Sequence, residues 1–501
     1  MTDSSTRYAD WKAPADDGQM LIWPEPAALV EETFANHRRL AAASDVLIQG
    51  VPLSELRRRA REFIGHEGDA PLIATGHQTE LYHPGVWVKN AMINSLARKV
   101  RGAAFHFAVD TDAPKHLHLR WPGGSEPITD DEQLTVAEWT GLLAPPTPSH
   151  LKYIASRLQQ AAEGWDFSPS TESFFGSMQR LSLESLNLAS ALTNSIHSVE
   201  WDLGLRHHAL VMSPLWQCEP YLIFLHDLLA RAGDFSKCYN RVLGNYRRRH
   251  GVRTMARPMP DLRILADEIE LPFWLDDLAA GHRRRATVRR RGGAWVIASP
   301  GEGDELRIDP TLDASAAAGR LLKWCRENQA RFTPRALTLT MFFRLFLADQ
   351  FVHGIGGGRY DQVTDAVIRE HFGLEPPTFS VTTATLYFPA AIGQRRINLR
   401  PLLQEGRRIR HGMLSAEKRA MVKQMDALPR HSRQRQELFF RMHDRLAAES
   451  NSPAIQAWEL RLGEAEREKH QQRALFDREL FFGVQPRERL TALIRRYDEF
   501  F

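Results

Sequence analysis

At 501 residues, 43% hydrophobic and 25% charged, the chain is long enough for two or three folded domains and too apolar for a disordered polymer. Its 65 basic and 61 acidic residues leave a net charge of +4, a small excess and not a polycation, so nucleic acid is not the expected partner. Cys218, Cys238 and Cys325 show no C-x-x-C spacing, which excludes a disulfide framework and a zinc ribbon, and no window reaches the roughly 18 continuous apolar residues that span a bilayer.

In chain order, residues 1–70 are expected to be mostly helical, with Leu29, Val30, Phe34, Leu40 and Leu56 at helical spacing. Met1 is followed by the polar run Thr2 to Arg7, with no basic and apolar leader pattern, so a cytoplasmic location is expected. A βαβ unit follows. It comprises a strand at 71–75, a polar loop at 76–85, a helix at 86–100 about 22 Å long at ~1.5 Å per residue, and a strand at 104–109 ending in Asp110-Thr111-Asp112. Both polar loops then sit at the carboxyl ends of parallel strands, where open α/β sheets bind ligands. Residues 209–214 read as another buried strand. Short strands with a hairpin at Gly292-Gly293 mark a small β-rich insertion, about 235–330.

Residues 337–347 are apolar enough for a buried helix. The run Phe351-Val352-His353 then feeds the glycine-dense turn Gly354-Ile355-Gly356-Gly357-Gly358-Arg359-Tyr360-Asp361, which opens into a helix carrying Val363, Val367, Ile368 and Phe372. Glycine admits close backbone approach and a helix N-terminus offers unpaired N–H donors, so a phosphate or carboxylate site is expected here. The turn is neither a G-x-G-x-x-G fingerprint nor a Walker loop. Residues 378–389 read as a late strand. Beyond about residue 400 the chain reads as a helical arm, with Ser415 as an N-cap, a continuous helix through Leu446, and a return helix starting at Pro453.

The residues Thr75-Gly76-His77-Gln78-Thr79-Glu80-Leu81 with Pro84-Gly85 and Lys89, Phe107 to Asp112, the glycine turn with Pro376-Pro377, and Gln485-Pro486-Arg487-Glu488-Arg489 together resemble the bacillithiol biosynthesis cysteine-adding enzyme family. The resemblance runs over nearly the whole chain. It implies a Rossmann-like parallel-sheet core (1–400) and a C-terminal antiparallel coiled-coil hairpin (401–501) that forms a homodimer. It also implies a ligase activity that adds cysteine to a small anionic acceptor, a glucosaminyl malate, in low-molecular-weight thiol metabolism. The chain departs from the family at Gly76 to Leu81, where Gly-Gln-Gln-Ala-Gly-Leu is usual, at Asp110 to Ala113, where Glu-Asp-His-Asp is usual, and in its longer glycine turn.

The expected site unites the two loops and the turn. Gly76, Gln78, Lys89, Gly356, Gly357, Gly358, Arg359 and Asp361 would bind substrate, with Arg359 gripping an anion bidentately. His77 or His353 would act as general base, and Asp110 and Asp112 would orient a cationic amine or hold a magnesium ion. ATP or ADP is an open possibility as cofactor, since the turn suits phosphates. Two other readings fit the same letters: a non-catalytic relative that binds a nucleotide or metabolite, and a hydrolase with a metal on Asp110, Asp112, His116 and His118. The second requires those four side chains to converge.

Overall fold

A computed structural model describes residues 11–254, 259–301, 303–412, 415–449 and 453–501; the polar run Thr2 to Arg7 lies outside them. The chain divides into two compact units, residues 1–386 with 478–501, and residues 387–477.

The larger unit carries two sheets. Their strands in chain order are β1 (Met20–Trp23), β2 (Leu72–Gln78), β3 (Ala103–Val109), β4 (His208–Val211), β5 (Glu268–Asp277), β6 (His282–Arg291), β7 (Ala294–Ile297), β8 (Leu306–Ile308), β9 (Ala330–Pro334), β10 (Gln350–His353) and β11 (Phe379–Ala384). The main sheet has the spatial order β1-β11-β10-β2-β3-β4, parallel throughout except for β1, which runs antiparallel to β11. The fold is therefore mixed α/β. Strand β1 falls inside the stretch expected to be helical, because cross-strand pairing of Leu21 with Thr383 and Trp23 with Val381 overrides any local preference.

Side-chain alternation explains why the βαβ unit was visible. Leu72, Ala74, Phe105, Phe107, Val109 and Phe351 join the main apolar core on one face, while Ile73, Ala104, Ala108 and Val352 are buried on the other. The second face is covered by the helix Pro84–Val100, buried over nearly its whole length, and the first by the helix Ile355–Phe372 through Val363, Val367 and Ile368. Near-continuous apolar runs are what a parallel sheet covered on both faces demands.

The chain leaves β2 through helix Pro84–Val100 towards β3, and leaves the adjacent β10 through helix Ile355–Phe372 towards β11 on the other side. The strand order thus reverses between β2 and β10, and a crevice opens at their carboxyl ends, as such a switch point requires.

The second sheet, β8-β7-β6-β5-β9, is antiparallel, and its hairpin turns at Gly292 and Gly293 with φ of +54° and +81°, the left-handed pair that a tight turn needs. Its strands lie between residues 268 and 334, whereas the start of the expected insertion, about 235–330, is occupied by the helix Ala232–Arg249. Several of the sheet's arginines are engaged in ion pairs, Arg283 with Asp276, Arg285 with Glu270 and Arg289 with Glu268. All three cysteines are buried and unbridged.

The C-terminal boundary differs from expectation. The helix Arg487–Phe500 belongs to the larger unit, where Leu490, Leu493 and Tyr497 are buried and Tyr497 Oη shares a hydrogen bond of 2.6 Å with Thr382 Oγ1. The unit 387–477 holds the helices Arg400–Gly412, Ser415–Asp426, Arg433–Glu449 and Pro453–Gln472. A break at Ala427 to Ser432, containing Pro429, splits what the sequence suggests is one continuous helix. Trp458 ties the last of these helices to the first, its Nε1–H donating to Leu402 O at 2.7 Å. Among the described residues no helix is long and apolar enough to cross a membrane.

Candidate functional site

A cavity of about 700 Å³ occupies the switch point. Of the residues singled out in the sequence, Gly76, His77, Gln78, Lys89, Asp112, His353, Gly356, Gly357 and Arg359 line it, so the two loops and the glycine turn do converge. His77 and Gln78 lie on the end of β2 rather than in the loop, because β2 runs three residues further than its apolar letters suggest.

Three expected residues do not face the cavity. Asp110 is buried and spends its carboxylate on Ser213, accepting the backbone N–H at 3.0 Å and the hydroxyl at the other oxygen. Burial raises its pKa against those hydrogen bonds. It anchors the turn after β4 and is unavailable to a substrate. Gly358 is buried where a Cβ would stand 2.4 Å from Val381 and 2.9 Å from Trp11, so its role is packing. Asp361 is buried beneath the turn. It accepts from Thr340 Oγ1 at 2.7 Å, Arg344 Nη1 at 2.6 Å and His353 Nε2 at 2.9 Å. Burial alone would raise its pKa, but Arg344 and His353 hold it well below the ordinary carboxylate range.

That ion pair sets up the site. Because the Asp361 carboxylate takes the Nε2–H of His353, the Nδ1 atom of this 5%-exposed side chain is its basic nitrogen. Nδ1 faces Gly357, where a Cβ would come within 2.8 Å of it, so the histidine needs glycine there. Burial outweighs Asp361 and lowers the His353 pKa, keeping the ring neutral at pH 7. Arg344, 1% exposed, also holds Asp365 at 2.5 Å and the Pro377 carbonyl. It is delivered by a π-helical turn, Phe343–Leu347, that ends the helix Ala336–Phe342; such turns are rare and concentrate at functional sites.

The helix Ile355–Phe372 begins without a side-chain cap at Gly354, and its first intrahelical acceptor serves Gly358 N. The N–H groups of Ile355, Gly356 and Gly357 therefore lack helical partners and stand beside the cavity, with Arg359 and Lys12 in the same wall. Arg359 is braced by the Trp11 carbonyl.

On the β2 side, Lys89 is 2% exposed and donates to Gly76 O at 2.9 Å. Burial pushes its pKa down to about 7, with Glu80 pulling the other way. Glu80 is itself driven up to about 7 by burial, against the pull of Lys89. His77 Nδ1 lies 3.3 Å from Gln78 O and 3.4 Å from Glu80 Oε1, and burial, then Lys89, lower its pKa well below the ordinary value. Gln78 Nε2 donates to Asp112 Oδ2 at 2.7 Å, which fixes the one carboxylate among the described lining residues.

Sequence reasoning missed Lys12, His83, Thr383 and Arg478, which also line the cavity. Arg478 comes from the returning C-terminal segment and sits 3.4 Å from Thr383 Oγ1, a proximity with no signal in local sequence. His83 was legible in principle, since it directly precedes Pro84 at a helix start.

The four-residue metal reading does not assemble. His116 and His118 are exposed, Asp110 is bound to Ser213 and Asp112 to Gln78. The one His/Asp/Glu group with metal-like spacing among the described residues is His197, Glu200 and His207. There Asn94 Oδ1 accepts from Arg206 N at 2.5 Å, so its Nδ2 faces His207 Nδ1 at 3.1 Å and leaves the proton on Nε2, 3.1 Å from Glu200. His207 Nε2 makes no hydrogen bond despite lying 3.1 Å from Glu200, and in this tautomer the group offers two ligands, not three.

The chain matches no protein-family model and no curated protein sequence.

Proposed function

We propose that this protein is an enzyme with a Rossmann-like core that binds a small anionic acceptor at its switch point and condenses it with an amine or amino acid, cysteine or a relative. This is the activity that its resemblance to the cysteine-adding ligases implies. The observation that carries the reading is the uncapped glycine helix start facing a buried His353 whose other nitrogen is held by Asp361. The free N–H groups, Arg359 and Lys12 would hold the anion, whether a carboxylate or the phosphates of ATP or ADP. His353 Nδ1, kept neutral by burial, would take the proton an amine loses as it attacks the carboxyl carbon of the amino acid, phosphorylated at the expense of ATP, so that the amide forms as phosphate leaves, a contribution of about 10² to 10⁴ in rate. Asp361 would fix the tautomer and Lys89 would supply charge on the opposite wall. The helices of 387–477, with Phe439, Phe440 and Leu460 exposed, would supply the coiled-coil homodimer contact of the family.

Thermal-shift and calorimetric titration with ATP, ADP, cysteine, glucosaminyl malate and inorganic phosphate tests the reading, with mass detection of any condensed product. An anion should stabilise the wild type, Arg359→Ala should abolish that response, and His353→Ala should bind without forming product. Failure of every anion to bind would overturn the anion site. Binding that survives without turnover under any substrate pair would favour the metabolite-binding relative, a reading supported by Asp110 and Asp361 both being consumed internally.

A further inference from the structure

The cavity has two kinds of wall. Arg359 and Lys12 supply charge beside the open N–H groups, but Leu339, Ile355 and Val86 stand only partly buried in the same lining, and the buried Phe343 and Phe351 belong to it too. Phe343 is placed by the π-helical turn and stacks on Phe351 at 5.6 Å and on Phe107 at 4.8 Å. The β2 backbone comes close to both, since a Cβ on Gly76 would lie 3.6 Å from each ring. An apolar wall at the centre of an anion site gains nothing from a ligand that is polar throughout. A sugar acid would leave Leu339 and Ile355 against water or against hydroxyl groups that find no partner there.

We infer that the anion bound at the glycine turn carries an apolar body, an aryl, acyl or nucleobase group, that covers Leu339, Phe343 and Phe351. The inference rests on the anion reading above and narrows its ligand class. It departs from the wholly polar acceptor that the family resemblance implies. His353 Nδ1, on a side chain more than nine-tenths buried, lies in the same lining and marks where the charged and apolar walls join.

Calorimetric titration with inorganic phosphate, ethyl phosphate and phenyl phosphate separates the two ideas. Each buried CH₂ is worth about fourfold in affinity, so phenyl phosphate should bind at least about tenfold tighter than phosphate, with ethyl phosphate between them. Leu339→Gln, a partly exposed position that keeps side-chain size, should erase most of that gain while leaving phosphate affinity unchanged; an unchanged melting temperature would show that the variant is folded. Arg359→Ala should weaken all three ligands by a similar factor. Equal affinities for the three in the wild type would overturn the apolar-body inference and leave the anion site standing. No binding of any of them, or binding indifferent to Arg359→Ala, would remove the anion site and the inference with it.

Discussion

Two helices begin side by side at the carboxyl ends of β2 and β10, and the chain finishes them differently. At Pro84–Val100 every early N–H is accounted for: Pro84 has none, Gly85 N donates to His83 Nδ1 at 3.1 Å, and Val86 N and Trp87 N both donate to His83 O at 2.9 Å. At Ile355–Phe372 no side chain caps the start, and the first turn is glycine-rich. The neighbouring helix shows that this sheet edge can be capped when only stability matters. The open start is the one beside Arg359, Lys12 and the buried His353, and its donors stay open to the cavity, whereas those of the capped start are taken up within the fold.

The comparison breaks most visibly at the ion pair beneath the open start. Asp361→Ala would leave Arg344 buried with only Asp365 and Pro377 as partners, and loss of one member of a buried pair costs about 3–5 kcal/mol. Urea unfolding should report a loss of that size, together with loss of product formation as His353 is released. A loss under 1 kcal/mol would mean that Arg344 and His353 find other partners and that the dyad is not fixed. The capped start should respond less. His83→Ala removes one N-cap acceptor, about 1 kcal/mol, and should leave phosphate affinity unchanged.

The cap also has a pH signature. Burial, with Arg478 next, lowers the His83 pKa to about 3, below the ordinary 6.5, so the folded protein keeps the ring neutral while the unfolded chain protonates it. Its stabilisation is complete above about pH 6.5 and is lost as pH falls from there towards 3. Denaturation midpoints measured from pH 7 to 4 should fall less steeply in His83→Ala than in the wild type. An identical slope would mean that the imidazole does not cap in its neutral form.

The contrast between the two starts was only half legible in the sequence. The glycine turn announced itself as three consecutive glycines after an apolar strand, although Gly358 proves to serve packing against Val381 and Trp11. The βαβ unit was equally plain from its two apolar runs, both buried on each face. The supports were hidden because they are long-range. Arg344 sits in the apolar run 337–347, where nothing predicts a π-helical turn that swings it under residues 361 and 365. Asp110 reads as a strand-end ligand, and only the pairing of β3 with β4 brings Ser213 to it. The helix Arg487–Phe500 follows the arm in sequence, and its apolar spacing at Leu490, Leu493 and Tyr497 cannot say which unit it covers. Local letters report which groups can do chemistry; pairing at large sequence separation decides which are free to do it.

The smallest expected effect tests the open start most directly. A Cβ at Gly356 would meet nothing within 4 Å, so nothing in the fold requires glycine there. Alanine is the better helix former by about 0.5–1 kcal/mol, and Gly356→Ala should therefore raise the unfolding midpoint slightly. If the position is kept bare so that an anion can reach the N–H groups of residues 355–357, the same substitution should weaken phosphate binding even as it stabilises the protein. A gain in stability with unchanged phosphate affinity would show that the ligand does not approach the backbone at Gly356, and would shift the anion towards Arg359 and Lys12 alone.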